Sequence, residues 1–266
     1  MSLNFTVKEK KILSSFNKNG FLIFKFGKRL NKVLKIRSFF EKNIKDILKK
    51  RNIKIDNSKD ILNNFHKYIK FNDLNSIRLE LYNKINKESW FLNDYFELGR
   101  EELEIICGNE LAMQRKVNLS IQLPRDDSSL LPVHSDVWSG CSPYEVVLWI
   151  PLVNVKKTKS MFVLPKKINK EYYNKFNKFS DSNSLQKSID KKIKWLEIKF
   201  GEGLIFAHQI MHGNKINLTN ETRWSFNCRF KSLMSPYDKK DIAETFFPIF
   251  IRPATKVGLE YEHPKV

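Results

Sequence analysis

Residues 223–230 read Arg-Trp-Ser-Phe-Asn-Cys-Arg-Phe, and polar and apolar side chains alternate along the whole stretch. Successive side chains of a β-strand point to opposite faces of its sheet, so this period of two predicts a strand with one polar and one apolar face. The polar face carries Arg223, Ser225, Asn227 and Arg229. Because histidines occur shortly before this strand, we expect its polar face to look into the interior of a barrel instead of into water.

The same alternation occurs in Val117-Asn-Leu-Ser-Ile-Gln-Leu, which places Asn118, Ser120 and Gln122 on one face. Further β-rich stretches cover residues 20–26, 145–151 and 160–165. Residues 195–207 predict a hairpin around the turn Gly201-Glu-Gly203. Many short strands separated by turn signals predict an antiparallel sandwich or jelly roll.

The chain before residue 117 has a different period. Between residues 28 and 107, apolar side chains such as Val33, Ile36 and Phe40 recur at helical spacing and predict helices that pack on the sheet. The fold class is therefore α+β, with a mainly β core and N-terminal packing helices. We predict one domain over residues 1–266, in which 1–115 hold a strand and helical support, 116–233 the β core and 234–266 a C-terminal extension. The polar segment 166–194 is expected to be an inserted loop or short helix over one rim.

The composition indicates a folded protein with a basic surface. Hydrophobic residues make up 41% of the chain, and no apolar run reaches the roughly 18 residues of a membrane span. The formal net charge is +19, but Lys and Asn are abundant throughout, so we interpret the charge as a solvated surface with room for anionic small substrates. Nucleic acid is the disfavoured partner. The first 26 residues show no secretory signal, so a cytoplasmic location is expected.

The motif His134-Ser-Asp136 places two metal-ligand side chains two residues apart, where an extended segment points both the same way. Alone, such a pair is equally read as a turn histidine beside a solvated aspartate. His212, in Met211-His-Gly-Asn, supplies a third ligand type. Two histidines and one carboxylate form the facial triad of non-haem iron(II), which leaves coordination positions open.

Arg223 lies eleven residues beyond His212, and Ser225 follows on the same strand face. A guanidinium there suits a dicarboxylate such as 2-oxoglutarate, because its planar fork can bind the far carboxylate through two hydrogen bonds. The Ser225 hydroxyl can add another. Ser120 and Gln122 are candidates for further co-substrate contacts, with structural hydrogen bonds as the alternative.

Several nearby side chains have two interpretations. His208 lies four residues before His212, a spacing that would share a metal on a helix, but the β-rich Leu204-Ile-Phe favours a non-ligand role. Arg229 is either a second anion contact or the partner in a buried ion pair. Trp138 and Tyr144 flank the metal motif and either stack on a sugar ring or pack at the rim. Three widely spaced cysteines, Cys107, Cys141 and Cys228, favour buried thiols over disulfides or a Cys-based zinc site.

The order of these motifs resembles the phytanoyl-CoA dioxygenase-like branch of the 2-oxoglutarate and iron(II)-dependent oxygenases. Two stretches are similar to the group found in bacterial carbohydrate-biosynthesis clusters, which includes a streptomycin-pathway member. They are His134-Ser-Asp-Val-Trp-Ser-Gly-Cys-Ser-Pro-Tyr-Glu, and His212-Gly-Asn together with Asn220-Glu-Thr-Arg-Trp-Ser-Phe-Asn-Cys-Arg-Phe. The resemblance covers residues 117–233 and, more loosely, 246–253.

The resemblance implies a double-stranded β-helix (a cupin-like jelly roll) with Fe(II) bound by His134, Asp136 and His212. It implies 2-oxoglutarate held by Arg223 and Ser225, and O2 as the oxidant. The implied reaction couples decarboxylation of 2-oxoglutarate to oxidation of a substrate C–H bond, usually by hydroxylation. The implied substrate is a saccharide, a nucleotide-sugar or a related small metabolite.

Two other functions compete with this one. A cupin-like isomerase or epimerase could use the same barrel without redox chemistry, although Arg223 argues against it because such an enzyme has no evident need for a dicarboxylate clamp. A non-catalytic basic protein that binds anions would show affinity that falls steeply with salt and does not depend on iron.

Overall fold

The computed structural model describes residues 4–236 and 244–263. Its helices are α1 (Val7–Asn19), α2 (Leu30–Lys50), α3 (Phe71–Asn86), α4 (Phe91–Cys107), α5 (Lys166–Tyr173), α6 (Ser182–Ile189) and α7 (Pro253–Leu259). Its strands are β1 (Phe21–Lys25), β2 (Leu111–Gln114), β3 (Asn118–Gln122), β4 (Val146–Pro151), β5 (Phe162–Val163), β6 (Lys194–Trp195), β7 (Glu202–Ala207), β8 (His212–Gly213), β9 (Arg223–Ser232) and β10 (Phe246–Phe250). Within these ranges, no helix combines the length and apolar character needed to cross a membrane.

Local sequence signals explain where α1 begins and ends. Thr6 and Glu9 form a capping box, in which each side chain accepts a hydrogen bond from the other residue's backbone N–H. At the other end, Gly20 has φ +77°, and its N–H donates to the carbonyl of Phe16 at 2.7 Å. Glycine adopts this left-handed conformation without steric cost, so the chain leaves α1 and enters β1 directly.

The larger sheet of the described residues has seven antiparallel strands, in the order β1-β7-β4-β9-β2-β10, with β3 also paired to β9. The long β9 is its centre. One edge of β9 pairs with β4, and the other edge pairs first with β3 and then with β2. The β3 register sets Ser120 opposite Ser225 and Gln122 opposite Arg223. The polar side chains predicted to be candidates in these two strands are therefore neighbours.

The smaller sheet has the order β6-β5-β8 and is extended by a bridge between His134 and His212. Alternation along its strands separates two clusters of buried side chains. Met161 and Val163 join the main core, whereas Phe162 and Leu164 join a second cluster beneath α5 and α6. Val133 and Met211 also belong to this second cluster. His134 and His212 follow these two residues directly, and their side chains point the opposite way, into the cavity between the sheets.

The apolar face of β9 packs on the N-terminal helices, as the alternation predicts. Phe226 contacts the rings of Phe40 on α2 and of Phe91 and Tyr95 on α4, and Trp224 also contacts Phe40. Fully burying a side chain of this size stabilises a fold by about 1.5–3 kcal/mol. The polar face of β9 is left to look between the two sheets, which confirms that it faces an interior.

Four sequence predictions need correction or refinement. The hairpin predicted over 195–207 is wrong, because β6 belongs to the smaller sheet and β7 to the larger one. The turn at Gly201 does form, but it carries the chain across from one sheet to the other. The strand predicted over 160–165 is reduced to β5, and segment 166–194 forms α5 and α6. The larger sheet also takes β1, β2 and β10 from outside the predicted core of 116–233.

Candidate metal centre

The backbone brings His134 and His212 directly together. Each residue's N–H donates to the other's carbonyl at 2.9 Å, and the two imidazole centroids lie 4.3 Å apart. Asp136 follows two residues after His134, and one ligand atom of each of these three side chains lies within 4.8 Å of the others. The two histidines of this trio come from neighbouring strand segments of the smaller sheet, so sheet pairing itself assembles it.

Hydrogen bonds fix the orientation of both imidazole rings. The Nδ1 atom of His134 lies 2.8 Å from the carbonyl of Pro132, and the Nδ1 atom of His212 lies 2.8 Å from the carbonyl of Ile210. A carbonyl can only accept, so in each ring Nδ1 carries the proton and Nε2 keeps its lone pair. In known metal sites, a histidine ligand usually donates the N–H of its other ring nitrogen to a carbonyl or carboxylate, and this hydrogen bond orients the ring. Both rings thus present Nε2 as a ligand.

The two carboxylate oxygens of Asp136 have different neighbours. Its Oδ1 accepts a hydrogen bond from Arg229 Nη2 at 3.1 Å, and its Oδ2 lies 3.9 Å from His212 Nε2. That gap can hold an ion about 2 Å from each atom. Burial acts to raise the pKa of the Asp136 carboxyl, but the histidines beside it and Arg229 together hold this pKa below its usual value. The carboxylate is therefore ionised at neutral pH.

His212 is uncharged in the same conditions. Its side chain is buried, and burial, together with repulsion from His134, lowers its pKa to about 4. A metal ion binds the neutral imidazole, so no proton has to leave this ring near pH 7. Two imidazoles and one carboxylate form a donor set that fits a divalent iron ion.

Arg223 reaches the same cavity from β9. It is 4% exposed, and burial lowers the pKa of its guanidinium to about 10, so it stays charged at neutral pH. Its Nη2 donates to Ser120 Oγ at 3.2 Å, and its Nε has no hydrogen-bond partner. Among the described residues no carboxylate pairs with it. A buried cation in this state is a site for an anion.

The other predicted co-substrate contacts differ from one another. Ser120 lines the cavity beside Arg223, but Ser225 and Gln122 are not among the lining residues. Gln122 Nε2 donates to the carbonyl of Lys215 at 2.8 Å, which favours a structural hydrogen bond over a co-substrate contact for this residue. Ser225 is fully buried between these side chains, and its hydroxyl has no hydrogen-bond partner.

The structure shows where the side chains with two interpretations lie. Arg229 forms the ion pair, with Asp136. His208 lies in a turn after β7, with Nδ1 3.3 Å from Glu145 Oε2 and Nε2 3.9 Å from Asp136 Oδ2, behind the trio. Trp138 packs at the rim on Tyr173 and Phe176, and Tyr144 is 59% exposed. Of the three cysteines, Cys141 and Cys228 are buried and Cys107 is half-buried, and within the described residues none of them forms a disulfide.

The cavity between the sheets has a volume of about 790 Å³. It is lined by the trio and Arg223, and also by one face of α3 that the sequence did not single out: Phe71, Leu74, Asn75 and Arg78. These positions follow the helical spacing of i, i+3, i+4 and i+7 that the sequence reading attributed to packing alone. Two of the four residues, Asn75 and Arg78, are polar, and polar residues within such a stripe are the sequence signal that could have distinguished a cavity wall from core.

Helix α5 holds both ligand-bearing segments in place. Tyr173 Oη donates to Ser135 Oγ at 2.7 Å, next to both His134 and Asp136. Asn169 Oδ1 accepts the N–H of Met211 at 2.7 Å, next to His212. The segment expected to be an inserted loop or short helix over one rim is thus helical and supports the segments that carry the trio.

Gly213, directly after His212, sits where the chain has no room for a side chain. A Cβ there would lie 2.8 Å from the carbonyl oxygen of Leu131 and 2.8 Å from the ring of Phe162. We expect Gly213→Ala to lower the free energy of unfolding by about 1–3 kcal/mol, the usual cost of overpacking. Urea unfolding would measure it. Gly258→Ala is the control, because a Cβ there meets nothing within 4 Å; equal effects of the two changes would contradict the close packing at β8.

Comparison with solved structures identifies the fold. AviO1 from Streptomyces viridochromogenes Tue57 is similar with a TM-score of 0.53 and 12% identity, over 88% of this chain and 100% of that one. The chain is a double-stranded β-helix. HygX from Streptomyces hygroscopicus, solved with nickel and 2-oxoglutarate bound, has a TM-score of 0.50 and 12% identity, over 91% of this chain and 92% of that one.

A third similar structure is the epimerase SnoN in complex with Fe3+, alpha ketoglutarate and nogalamycin RO. Its TM-score is 0.50 and its identity 11%, over 86% of each chain. No protein-family model matches this sequence, and no curated protein sequence matches it either. At these identities the likeness is one of fold.

Proposed function

We propose that this protein is an iron(II) and 2-oxoglutarate-dependent oxygenase. The observation that carries the proposal is one cavity holding a two-histidine, one-carboxylate trio and a buried arginine that has no acidic partner among the described residues. His134, Asp136 and His212 would hold the iron, and Arg223 would bind the far carboxylate of 2-oxoglutarate with Ser120 beside it. HygX and SnoN, which share the fold, were solved with 2-oxoglutarate or alpha ketoglutarate bound, and this supports the assignment.

When bound, iron and 2-oxoglutarate would supply the oxidation of a substrate C–H bond by O2. The chain's own residues have other tasks. The hydrogen bonds to the two Nδ1 atoms keep the rings ready to bind, and Arg229 holds one Asp136 oxygen so that the other is presented to the metal. The two sheets enclose the site and limit water access, which strengthens electrostatic contacts inside it.

The substrate we propose is a saccharide, a nucleotide-sugar or a related small metabolite, oxidised in a carbohydrate biosynthesis pathway. The resemblance of residues 134–145 and 212–230 to the carbohydrate-cluster group supports this class, and so does the large number of polar side chains around the cavity. Hydroxylation is the expected outcome. SnoN, an epimerase that depends on alpha ketoglutarate, indicates that a metal-dependent epimerisation is the second outcome to measure.

An anaerobic titration with iron(II) and 2-oxoglutarate tests the proposal. We expect a visible metal-to-ligand charge-transfer band, because it requires 2-oxoglutarate to chelate iron. His212→Ala should abolish the band, whereas His263→Ala should retain it, since His263 is exposed, contacts Tyr261 and does not line the cavity. Bound iron without a band would favour the non-redox isomerase, and no iron binding would favour the basic anion-binding protein.

A further inference from the structure

The cavity has a second cationic position, on the wall that α3 forms. Arg78 lies on α3 and faces the cavity with Phe71 and Asn75. Its Nη2 donates to Asn75 Oδ1 at 2.8 Å. Within residues 4–236 and 244–263 it forms no salt bridge, so its charge is not neutralised by the part of the chain that the structure describes.

The charges that line the cavity do not balance. Three arginines face it, at positions 78, 223 and 229, whereas Asp136 is the one acidic residue among the lining side chains described. Asp136 pairs with Arg229, and the proposed function assigns Arg223 to 2-oxoglutarate. An iron(II) ion and a 2-oxoglutarate dianion together add no net formal charge, so loading the site leaves the excess of arginines over Asp136 unchanged. Arg78 therefore remains as uncompensated positive charge in the loaded site.

The surroundings of Arg78 suit a ring with hydroxyl groups. Phe71 is 55% exposed although it stands on the cavity face of α3, and an exposed aromatic face can stack on the apolar face of a sugar or on a base. Uncharged polar residues line the wall nearby, among them Asn118, Ser139 and Asn227. Amide and hydroxyl groups of this kind can both donate and accept hydrogen bonds.

We propose that Phe71, Asn75 and Arg78 form a substrate subsite that binds the anionic group of a charged sugar, either a phosphate or a carboxylate. This inference rests on the proposed function, which assigns the neighbouring part of the cavity to iron and 2-oxoglutarate. Arg78 binds the anion through its guanidinium fork, which matches both groups geometrically. Phe71 covers the ring, and the rest of the sugar extends toward the metal trio. The excess of basic residues over the whole chain favours the approach of such substrates.

The test is a calorimetric titration of protein loaded with nickel(II) and 2-oxoglutarate, so that binding is measured without turnover. The probes are glucose 1-phosphate, UDP-glucose, glucuronate and uncharged glucose. We expect at least one charged probe to bind about tenfold or more tightly than glucose, because it gains a charge-assisted hydrogen bond. The phosphate and carboxylate probes distinguish the two sources of negative charge.

Arg78→Gln should reduce the affinity for the charged probe to that for glucose and leave 2-oxoglutarate binding unchanged. Lys84→Gln is the matched control, because it removes one positive charge from the same helix at a residue that does not line the cavity. Equal affinity for charged and uncharged probes, or equal effects of the two variants, would overturn the subsite.

The same titration without nickel and 2-oxoglutarate separates this inference from the proposed function. Arg78-dependent binding of a charged probe to a protein that takes up no 2-oxoglutarate would support the subsite and contradict the oxygenase. Uptake of 2-oxoglutarate with no preference among the probes would support the oxygenase and contradict the subsite.

Discussion

Arg223→Gln is expected to weaken the binding of 2-oxoglutarate by roughly 30- to 5000-fold, with little change in iron affinity. The guanidinium is 4% exposed and keeps its charge, so a carboxylate bound to it would form a desolvated charge pair. Truncating one partner of such a pair costs about 2–5 kcal/mol. Titrating the charge-transfer band with 2-oxoglutarate at saturating iron(II) measures the change directly.

Stability provides an independent readout for the same variant. Without 2-oxoglutarate, wild-type Arg223 is a buried cation that no described carboxylate neutralises, so Arg223→Gln should be at least as stable as the wild type. With 2-oxoglutarate and iron(II), the wild type should gain thermal stability that the variant lacks. Arg51→Gln, which removes a surface arginine paired with Asp73, is the control. If Arg223→Gln left the affinity for 2-oxoglutarate unchanged, the proposed binding of its far carboxylate would have to be assigned to Arg229 instead.

Asp136→Ala is expected to lower iron(II) affinity by more than about a hundredfold and to abolish turnover. Loss of a residue that merely supports a metal ligand already costs about 10- to 100-fold in metal affinity or activity. Asp136 is itself a proposed ligand, with its Oδ2 3.9 Å from His212 Nε2, so its loss should cost more. Equilibrium binding of iron(II) and succinate formation are the two measurements. Full retention of turnover would contradict the assigned metal site.

A second variant separates metal binding from folding. Asp136→Ala also leaves Arg229 without its carboxylate, and breaking a buried ion pair can cost about 3–5 kcal/mol of stability. Asp136→Asn keeps an oxygen that can accept the hydrogen bond from Arg229 but removes the ligand charge. We expect Asp136→Asn to unfold near the wild-type temperature and still lose iron. Asp190→Ala, at a surface carboxylate paired with Lys215, should change neither quantity.

Local alternation predicted the central part of the sheet well. The period of two over 117–123 and 223–230 gave β3 and β9, and the helical period gave the packing helices, because both periods reflect which side chains are buried. The hairpin at Gly201 was predicted wrongly for a related reason. Turn chemistry specifies that the chain bends, but whether the two flanks pair depends on partners distant in sequence, here β5 for one flank and β1 with β4 for the other.

The sequence by itself determined the donor types of the candidate site and their order along the chain: His134, Asp136, His212 and Arg223. It could do so because alternation along a strand fixes the face of each residue. Tertiary structure alone decided the rest. Sheet pairing set the two imidazoles side by side, and hydrogen bonds from Nδ1 to two carbonyls left Nε2 as the ring nitrogen that could bind a metal.

Tertiary structure also decided which elements surround the site. Tyr173 on α5 and Arg78 on α3 are far from the motifs in sequence, yet Tyr173 donates a hydrogen bond to Ser135, between His134 and Asp136, and Arg78 lines the cavity of the trio. No local pattern encodes these contacts, since each depends on how helices dock on sheets, and docking is set by the packing of the whole core. A few short motifs were therefore enough to predict the donor residues of the candidate site, whereas the shape and charge of the cavity around them required the folded chain.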